Sequence, residues 1–422
     1  MSKNDKQHAL EPRLRFPEFR DAPRWVVKRL GARGEFLSSL TGKSAADFDT
    51  GDATFIPYMN VFSNTFTDFN DLRSVNVGKD ENQNAVAKGD VFFTVSSETP
   101  EDAGMSSVLL DDIDDCYLNS FCALFRFQDG CSPDLVFLGY MLRSAVVRQH
   151  LARGAQGATR YNISKGVFRD VPLLLPDPAE QQKIADCLGS LDDLIAAEGR
   201  KLAALRDHKK GLMQQLFPRE GETRPRLRFP EFRDAGEWEP ARLSAIFDLV
   251  SGVHLAPDEY DVDGEVPYFT GPSDFSNDVN AISKWTAEST NIARRGDTLI
   301  TVKGSGCGEL MFLELTKVAM GRQLMAARPK NCAERFVLYL LETKRKRFED
   351  LASGNLIPGL SRGDILDLES PLPKEEAEQQ RIADCLASLD ATIAAHAEKL
   401  DALRTHKRGL MQQLFPSPEG HQ

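Results

Sequence analysis

The sequence predicts an α+β fold in which two mixed α/β domains are joined by two long helices that form an antiparallel coiled coil with pseudo-two-fold symmetry. One reason is a segment of eleven residues, PRLRFPEFRDA, which occupies residues 12–22 and recurs unchanged at residues 225–235. A second reason is a 39-residue segment, residues 180–218, which recurs at residues 378–416 with 29 identities. The stretches between these repeats match only at scattered points. A duplicated frame with two divergent inserts indicates one architecture used twice for two different tasks.

Each long repeat predicts a helix of roughly 58 Å, since an α-helix rises 1.5 Å per residue. Leucine and isoleucine recur at alternating spacings of three and four, which is the period of a coiled-coil seam. Asp177-Pro178 and Pro373 favour a helix start after them, and Pro218 and Pro416 end the helices. The residues predicted to pair the two helices are Ile184, Leu188, Leu191, Ile195, Glu198, Leu202 and Leu205 in the first copy, and Ile382, Leu386, Leu389, Ile393, His396, Leu400 and Leu403 in the second.

The natural partner of each helix is the other copy, because either helix alone would expose an apolar stripe to water. Parallel pairing would require the intervening insert to return the chain to the same end. Antiparallel pairing avoids this and is expected to place the two inserts at opposite ends of the helix pair. An antiparallel register about the midpoints predicts Glu198 opposite His396, Lys209 near Cys385 and Lys407 near Cys187.

The two inserts are expected to share one fold with different loops. Residues 88–95, KGDVFFTV, match residues 295–302, RGDTLITV, and a Gly-Asp turn before an apolar run is typical of a strand. Ile56-Pro57-Tyr58 is aligned with Val266-Pro267-Tyr268, and the stretches from Asp134 and Glu334 are expected to be helical. The predicted organisation is a tail at 1–11, a first domain at 12–177, a helix at 178–217, a linker at 218–225, a second domain at 226–373, a second helix at 374–416 and a tail at 417–422.

Composition limits the class of protein. The hydrophobic fraction is 41% and the charged fraction 27%, as in ordinary globular proteins. No apolar run is long enough for a membrane span, and residues 1–13 lack a secretory signal, so a cytoplasmic protein with seven reduced cysteines is expected. The net charge is −11, yet bases outnumber acids by 7 to 4 over residues 116–177 and by 14 to 9 over residues 282–366. The later part of each insert is therefore basic enough to face phosphates, although solvated protein surface remains an alternative.

The sequence predicts neither a catalytic site nor a metal site. The TGKS segment at residues 41–44 resembles the end of a phosphate-binding loop, but Leu37 stands where that loop requires glycine. The glycines at 304, 306 and 308 have the wrong spacing for a nucleotide fingerprint, and Glu342-Thr343-Lys344 lacks the upstream acid of a nuclease. The Asp/Asn-Pro-Pro-aromatic motif of adenine methyltransferases does not occur, and the seven histidines are not grouped with acids at metal-binding spacing.

What remains is recognition through polar loops. Arginine, glutamine and asparagine, the side chains that read guanine and adenine edges, are concentrated at residues 153–162. Arginine and lysine elsewhere in each insert are candidates for phosphate contact, and an ordinary surface role is the alternative for each. The candidate DNA-binding residues are Arg153, Gln156, Thr159, Arg160, Tyr161, Asn162, Lys165, Lys303, Arg322, Gln323, Lys344, Arg345, Arg347, Asn355 and Arg362.

Taken together, these motifs resemble the specificity subunit of type I restriction–modification enzymes. The resemblance rests on GDVFFTVSS and GDTLITVKGS, on GATRYNIS, and on EQQ-(K/R)-IADCL leading into helices that end in GLMQQLFP. It covers nearly the whole chain, and the helical motif occurs twice in the expected order.

The resemblance implies a chain that binds double-stranded DNA without catalysis of its own. Each insert would be a target-recognition domain for one half of an asymmetric bipartite site, and the paired helices would set the spacer. Two modification subunits would carry S-adenosylmethionine, and restriction subunits would carry ATP and Mg²⁺. A single-chain methyltransferase or nuclease is disfavoured by the missing motifs. A coiled-coil scaffold, or a subunit of a methylation-only complex, remains the alternative.

Overall fold

The computed structural model describes residues 11–287, 291–304, 306–353 and 359–416. The chain divides into two compact units. Unit 1 comprises residues 1–198 and 399–422, and unit 2 comprises residues 199–398.

The strands of unit 1 are β1 Val26–Arg29, β2 Gly34–Leu37, β3 Phe48–Ile56, β4 Arg73–Val75, β5 Val91–Thr94, β6 Ser96–Ser97, β7 Ser106–Val108, β8 Cys116–Leu118, β9 Cys122–Phe127, β10 Tyr161–Asn162 and β11 Pro172–Leu175. They form a four-stranded sheet in the order β2-β9-β5-β7, a three-stranded sheet in the order β4-β3-β8, and two short antiparallel pairs, β1-β11 and β10-β6. The helices are α1 Tyr58–Ser63, α2 Leu135–Leu142, α3 Ala145–Gly154, α4 Lys165–Arg169 and the first part of α5 Pro178–Leu216.

The strands of unit 2 are β12 Glu239–Arg242, β13 Phe247–Ser251, β14 Val266–Phe269, β15 Trp285–Thr286, β16 Ile292–Arg294, β17 Thr298–Thr301, β18 Leu310–Phe312, β19 Lys317–Met320, β20 Leu324–Pro329 and β21 Glu369–Leu372. They form two four-stranded sheets, β13-β20-β17-β18 and β15-β14-β19-β16, and one antiparallel pair, β12-β21. The helices are α6 Glu334–Ser353, α7 Arg362–Leu366 and α8 Glu376–Leu414, whose last part lies in unit 1. Where unit 1 has the two helices α2 and α3, unit 2 has the one helix α6.

The aspartate of the Gly-Asp motif makes the same kind of contact in both units, as the sequence match predicts. Asp90 accepts two hydrogen bonds from the guanidinium of Arg126 on β9, at 2.8 and 2.6 Å. Asp297 accepts the corresponding pair from Arg328 on β20, at 3.2 and 2.8 Å. Both carboxylates are buried, so each turn is fixed by a charged pair that satisfies the buried acid.

A second sequence match is wrong by three residues. Parallel pairing places Ile56 against Leu118 in unit 1 and Phe269 against Met320 in unit 2. Ile56 is therefore equivalent to Phe269 rather than to Val266. The Ile-Pro-Tyr and Val-Pro-Tyr segments do not occupy equivalent positions in the two units. Short apolar strands carry too little information to fix their register from sequence.

The eleven-residue repeat has a definite role in unit 1. Arg15 donates hydrogen bonds to both carboxylate oxygens of Glu180, in the first turn of α5, at 2.8 and 2.7 Å. It also donates to the carbonyls of Ala22 and Pro23. The backbone N–H of Leu14 donates to the Gln413 carbonyl near the end of α8. The repeat therefore links the beginning of one long helix to the end of the other.

Unit 2 repeats these contacts. Arg228 donates to both oxygens of Glu378 at 2.6 and 2.7 Å, and the Leu227 N–H donates to the Gln215 carbonyl near the end of α5. Glu180 and Glu378 are each 1% exposed. The two identical eleven-residue segments thus make the same contacts with two buried glutamates, Glu180 and Glu378.

The long helices α5 and α8 have the predicted length and pack together antiparallel within each unit. Each has 39 residues. In unit 1, Lys407 binds Asp192 at 2.6 Å and Lys399 binds Glu198 at 2.9 Å, and in unit 2, Lys209 binds Asp390 at 2.8 Å. The two lysines that interrupt the seam were expected near Cys187 and Cys385. Each instead contacts a carboxylate five residues further along, Asp192 for Lys407 and Asp390 for Lys209, because a lysine ammonium pairs with a carboxylate rather than a thiol. The pairing of Glu198 with His396 stays a prediction.

The residues predicted to pair the helices lie on their buried or half-buried sides. Those nearest the helix starts also belong to the cores of the units. Ile184 and Leu188 join the unit 1 core, which includes Phe415, and Ile382 and Leu386 join the unit 2 core. Leu191, Glu198, Leu202 and Leu400 are buried, while Ile195, Leu205, Leu389, Ile393, His396 and Leu403 are half-buried.

Candidate nucleic-acid interface

The end of the polar segment at residues 153–162 forms a closed hairpin in unit 1. Gln156 and Asn162 exchange two backbone hydrogen bonds, at 2.9 and 2.8 Å. Gly157 has φ +150°, and a Cβ there would lie 2.0 Å from the Arg160 carbonyl oxygen. Only glycine fits this position, so the hairpin between Gln156 and Asn162 has a defined shape.

A sheet end supports the hairpin. Strand β10, which contains Tyr161 and Asn162, pairs with β6, and the Ile163 N–H donates to the Val95 carbonyl just beyond β5. The predicted recognition residues Gln156, Thr159, Arg160 and Asn162 are exposed, and Tyr161 is half-buried. The sheet therefore presents these polar side chains to solvent.

Two residues outside the candidate set lie beside the hairpin. Tyr58, at the start of α1, donates its hydroxyl to the Ser96 carbonyl on β6 at 2.7 Å. Burial raises the Tyr58 pKa, and the nearby Arg160 charge partly opposes that shift. Phe121 is 60% exposed, and its carbonyl accepts from the Val95 N–H. Sequence patterns miss them because large apolar residues usually signal core.

Unit 2 has an equivalent sheet end. The Leu360 N–H donates to the Val302 carbonyl, and the Val302 N–H donates to the Gln323 carbonyl, at 2.8 and 2.7 Å. Lys303 forms a backbone bridge with Gly359. Lys303, Arg322 and Gln323 are exposed, and the structure brings them to this one sheet end. Asn355, the remaining candidate in this loop, lies outside the described residues.

The other basic candidates lie on helices. Arg345 pairs with Glu349 on α6 at 3.1 Å, and Arg347 on the same helix is exposed. Lys344 is half-buried, and burial lowers its pKa. The last candidates occupy helix termini: Arg153 lies in the last turn of α3, exposed Lys165 begins α4, and Arg362 begins α7, where it donates to Ser251 at 3.1 Å.

The TGKS segment does not form a phosphate cradle. The Lys43 ammonium donates to the Asn76 carbonyl and to Glu81, each at 2.6 Å. The hydrogen bond from Lys43 helps lower the Glu81 pKa to about 2. Within the described ranges, no three His, Cys, Asp or Glu side chains are grouped to hold a metal ion. Among the helices of that same part of the chain, none has the length and apolarity to cross a bilayer.

Comparisons with known proteins agree with this architecture. The sequence profile of the type I restriction modification DNA specificity domain matches residues 24–207 and 235–405. A candidate type I restriction enzyme specificity subunit, MjaX of Methanocaldococcus jannaschii, is 25% identical over 288 residues, which is 66% of this chain and 67% of the relative.

Two solved structures share the fold. The type I restriction–modification S subunit from M. genitalium superposes with a TM-score of 0.62 at 16% identity, covering 97% of this chain and all of the other. A chain from a structural study of type I system assembly and conformational transition gives a TM-score of 0.57 at 20% identity, covering 93% and 98%.

Each of the two units presents exposed polar side chains at one sheet end, an arrangement suited to recognition of a partner molecule. The chain belongs to the type I restriction modification DNA specificity family, and its function is DNA sequence recognition.

Proposed function

We propose that the chain is the specificity subunit of a type I restriction–modification complex and that each unit reads one half of an asymmetric bipartite DNA site. The observation that carries this proposal is the contrast between equivalent backbones and different side chains. Val95 and Val302 make the same two backbone contacts, yet the neighbouring turns present Phe121 in one unit and Gln323 in the other. Equivalent platforms with different exposed groups would read different sequences.

The paired helices α5 and α8 would fix the spacer between the half-sites. The antiparallel lysine–carboxylate pairs tie each helix to its neighbour within each unit. A ruler needs such a register, because a sliding pair would allow several spacings.

The exposed starts of the long helices would dock two modification subunits. Gln182 donates to Asp186 on α5 at 2.8 Å, and Gln380 donates to Asp384 on α8 at 2.7 Å. These residues are exposed and the same in both repeats. Two surfaces that share these residues suit two copies of one partner. The modification subunits would bring S-adenosylmethionine, and restriction subunits would bring ATP and Mg²⁺; this chain would catalyse nothing itself.

Methylome sequencing of a host that expresses this chain with a methyltransferase partner tests the proposal. The expected result is one asymmetric motif of two half-sites with a fixed gap. Exchanging residues 226–373 for those of a relative should change one half-site and leave the other. A methylome with no motif dependent on this chain would favour the scaffold alternative. A motif without restriction of unmodified DNA would favour a methylation-only complex.

A further inference from the structure

We infer that the turn between β8 and β9, and its equivalent between β19 and β20, is a specificity-determining position. Phe121 would read a thymine 5-methyl group in one half-site, and Gln323 would read an adenine edge in the other. This inference rests on the proposed function and assigns a role to an aromatic residue that the sequence motifs do not include.

The two turns are equivalent by three backbone contacts. The N–H of Val95 donates to the Phe121 carbonyl, and that of Val302 donates to the Gln323 carbonyl. The residue after each turn begins the pairing of the next strand: Cys122 pairs with Thr94, and Leu324 pairs with Thr301. A third contact precedes each turn, where the residue after β8 or β19 donates to the last residue of β3 or β14.

Phe121 is in an unusual environment for a phenylalanine. The residue is 60% exposed, whereas Cys122, the next residue along the chain, is 2% exposed. The backbone of its turn is constrained, since the Phe121 N–H donates to the Asn119 side chain at 2.9 Å. An exposed ring on a fixed turn is held where a partner can bury it.

The surroundings of the ring favour DNA as that partner. Val95 bonds both to Phe121 and to Ile163, directly after the hairpin that carries Arg160. Arg160, Gln156 and Asn162 supply a cation and amide groups suited to an anionic duplex, and phenylalanine suits the thymine methyl among base-edge groups. In unit 2 the equivalent turn carries Arg322 and Gln323, and glutamine can pair with adenine N6 and N7.

The test begins with duplexes selected from a random 30-base-pair library by the full chain in complex with its methyltransferase partner. Thymines of the selected site are replaced one at a time by deoxyuridine, which lacks only the methyl group. One replacement should weaken binding about fourfold, as expected for a buried methyl group. Phe121→Ala should abolish the effect of that replacement, while Phe121→Leu should retain part of it.

The matched measurement uses 7-deazaadenine, which lacks the N7 acceptor. One such replacement in the other half-site should weaken wild-type binding, and Gln323→Ala should remove that sensitivity while the deoxyuridine effect remains. Val262→Ala, at a residue 76% exposed, serves as the control and should leave both effects intact.

Two results would overturn the inference. One is a selected site whose affinity does not respond to deoxyuridine at any position. The other is a deoxyuridine effect that persists in Phe121→Ala. Failure of the library to yield any preferred sequence would instead reject the proposed function.

Discussion

The Lys407 ammonium lies 2.6 Å from the Asp192 carboxylate, so a residue near the end of α8 is paired with one in the first half of α5. Tyr140 on α2 donates to the same carboxylate at 2.7 Å, and Lys407 lies 5.0 Å from the centre of its ring. Burial, reinforced by Asp192, raises the pKa of Tyr140, which keeps its hydroxyl protonated as a donor. One carboxylate thus joins two long helices and a recognition domain.

Unit 2 contains the same arrangement. Tyr339 donates to Asp390 at 2.7 Å, and Lys209 binds Asp390 at 2.8 Å. Lys209 lies 5.1 Å from the centre of the Tyr339 ring. The lysines that interrupt the apolar seam therefore make the same carboxylate and tyrosine contacts in both units.

Replacing Asp192 by Asn should lower the free energy of unfolding by about 1–3 kcal/mol, since Lys407 loses its counter-charge and Tyr140 a charged acceptor. Chemical denaturation of the full chain, followed by circular dichroism, measures the change. Asp193→Asn, at the exposed neighbouring position, should be nearly neutral. Equal effects at the two positions would contradict the role given to Asp192.

Replacing Arg228 by Met should destabilise the protein by about 3–5 kcal/mol, because buried Glu378 would lose its charged partner. The same change at Arg15 should act equally through Glu180. The control is Arg29→Met, whose ion pair with Asp170 is largely exposed, with an expected cost of about 0–1 kcal/mol. Thermal unfolding of all three variants measures these costs, and equal destabilisation by Arg228→Met and Arg29→Met would contradict the stabilising role given to the Arg228–Glu378 pair.

Gly157→Ala should disable recognition of one half-site without unfolding the protein. The new Cβ would clash with the Arg160 carbonyl, at 2.0 Å, and distort the hairpin. Gly189→Ala is the matched control, because nothing lies within 4 Å of a Cβ there and the other repeat already has alanine. Binding to selected duplexes should fall for Gly157→Ala alone, and an unchanged sequence preference would show that the hairpin does not read DNA.

Inserting four residues after Ala197 and four after Ala395 should lengthen the spacer and leave both half-sites unchanged. Four residues add about 6 Å and close to one full helical turn, which is near two base-pair steps of about 3.4 Å. The methylation motif of a host with this variant reports the spacing directly. A motif with the original spacing would be incompatible with a ruler role for the helices.

Thiol labelling should follow burial. Cys122 is 2% exposed, and burial raises its pKa to about 12, so at pH 8 it should resist iodoacetamide in the folded protein. The half-buried Cys131, Cys187 and Cys385 should react first. Mass spectrometry of native and denatured samples would show the order, and early modification of Cys122 would contradict the described core.

Periodic and repeated features were predictable from sequence, and side-chain choices were not. The lengths of α5 and α8 follow from leucine spacing and flanking prolines. The carboxylate partners of Lys209 and Lys407 could not be predicted from sequence. A 3.5-residue leucine period does not determine how far one antiparallel helix is shifted along the other, and the charged pairs then favour one register. The helix expected from Asp134 is two helices, interrupted at Arg143 and Ser144, where the Arg143 guanidinium donates to one backbone carbonyl on β7 and to three at the end of α1.

The candidate site was predictable in part. A hairpin rich in Arg, Gln and Asn is visible in the sequence, and the structure brings its residues to one sheet end. Phe121 was missed because an exposed aromatic residue has no sequence signature; only its 60% exposure distinguishes it from core phenylalanines.

The desolvation of Glu180 and Glu378 has a practical consequence for handling the protein. Salt screens exposed charges strongly and buried pairs weakly. Raising the ionic strength should therefore dissociate bound DNA, whose affinity depends on counterion release, at salt concentrations that leave the Arg15–Glu180 and Arg228–Glu378 pairs intact. Protein eluted from a heparin or DNA column at high salt should therefore still be folded, and it should bind DNA again after desalting without a refolding step.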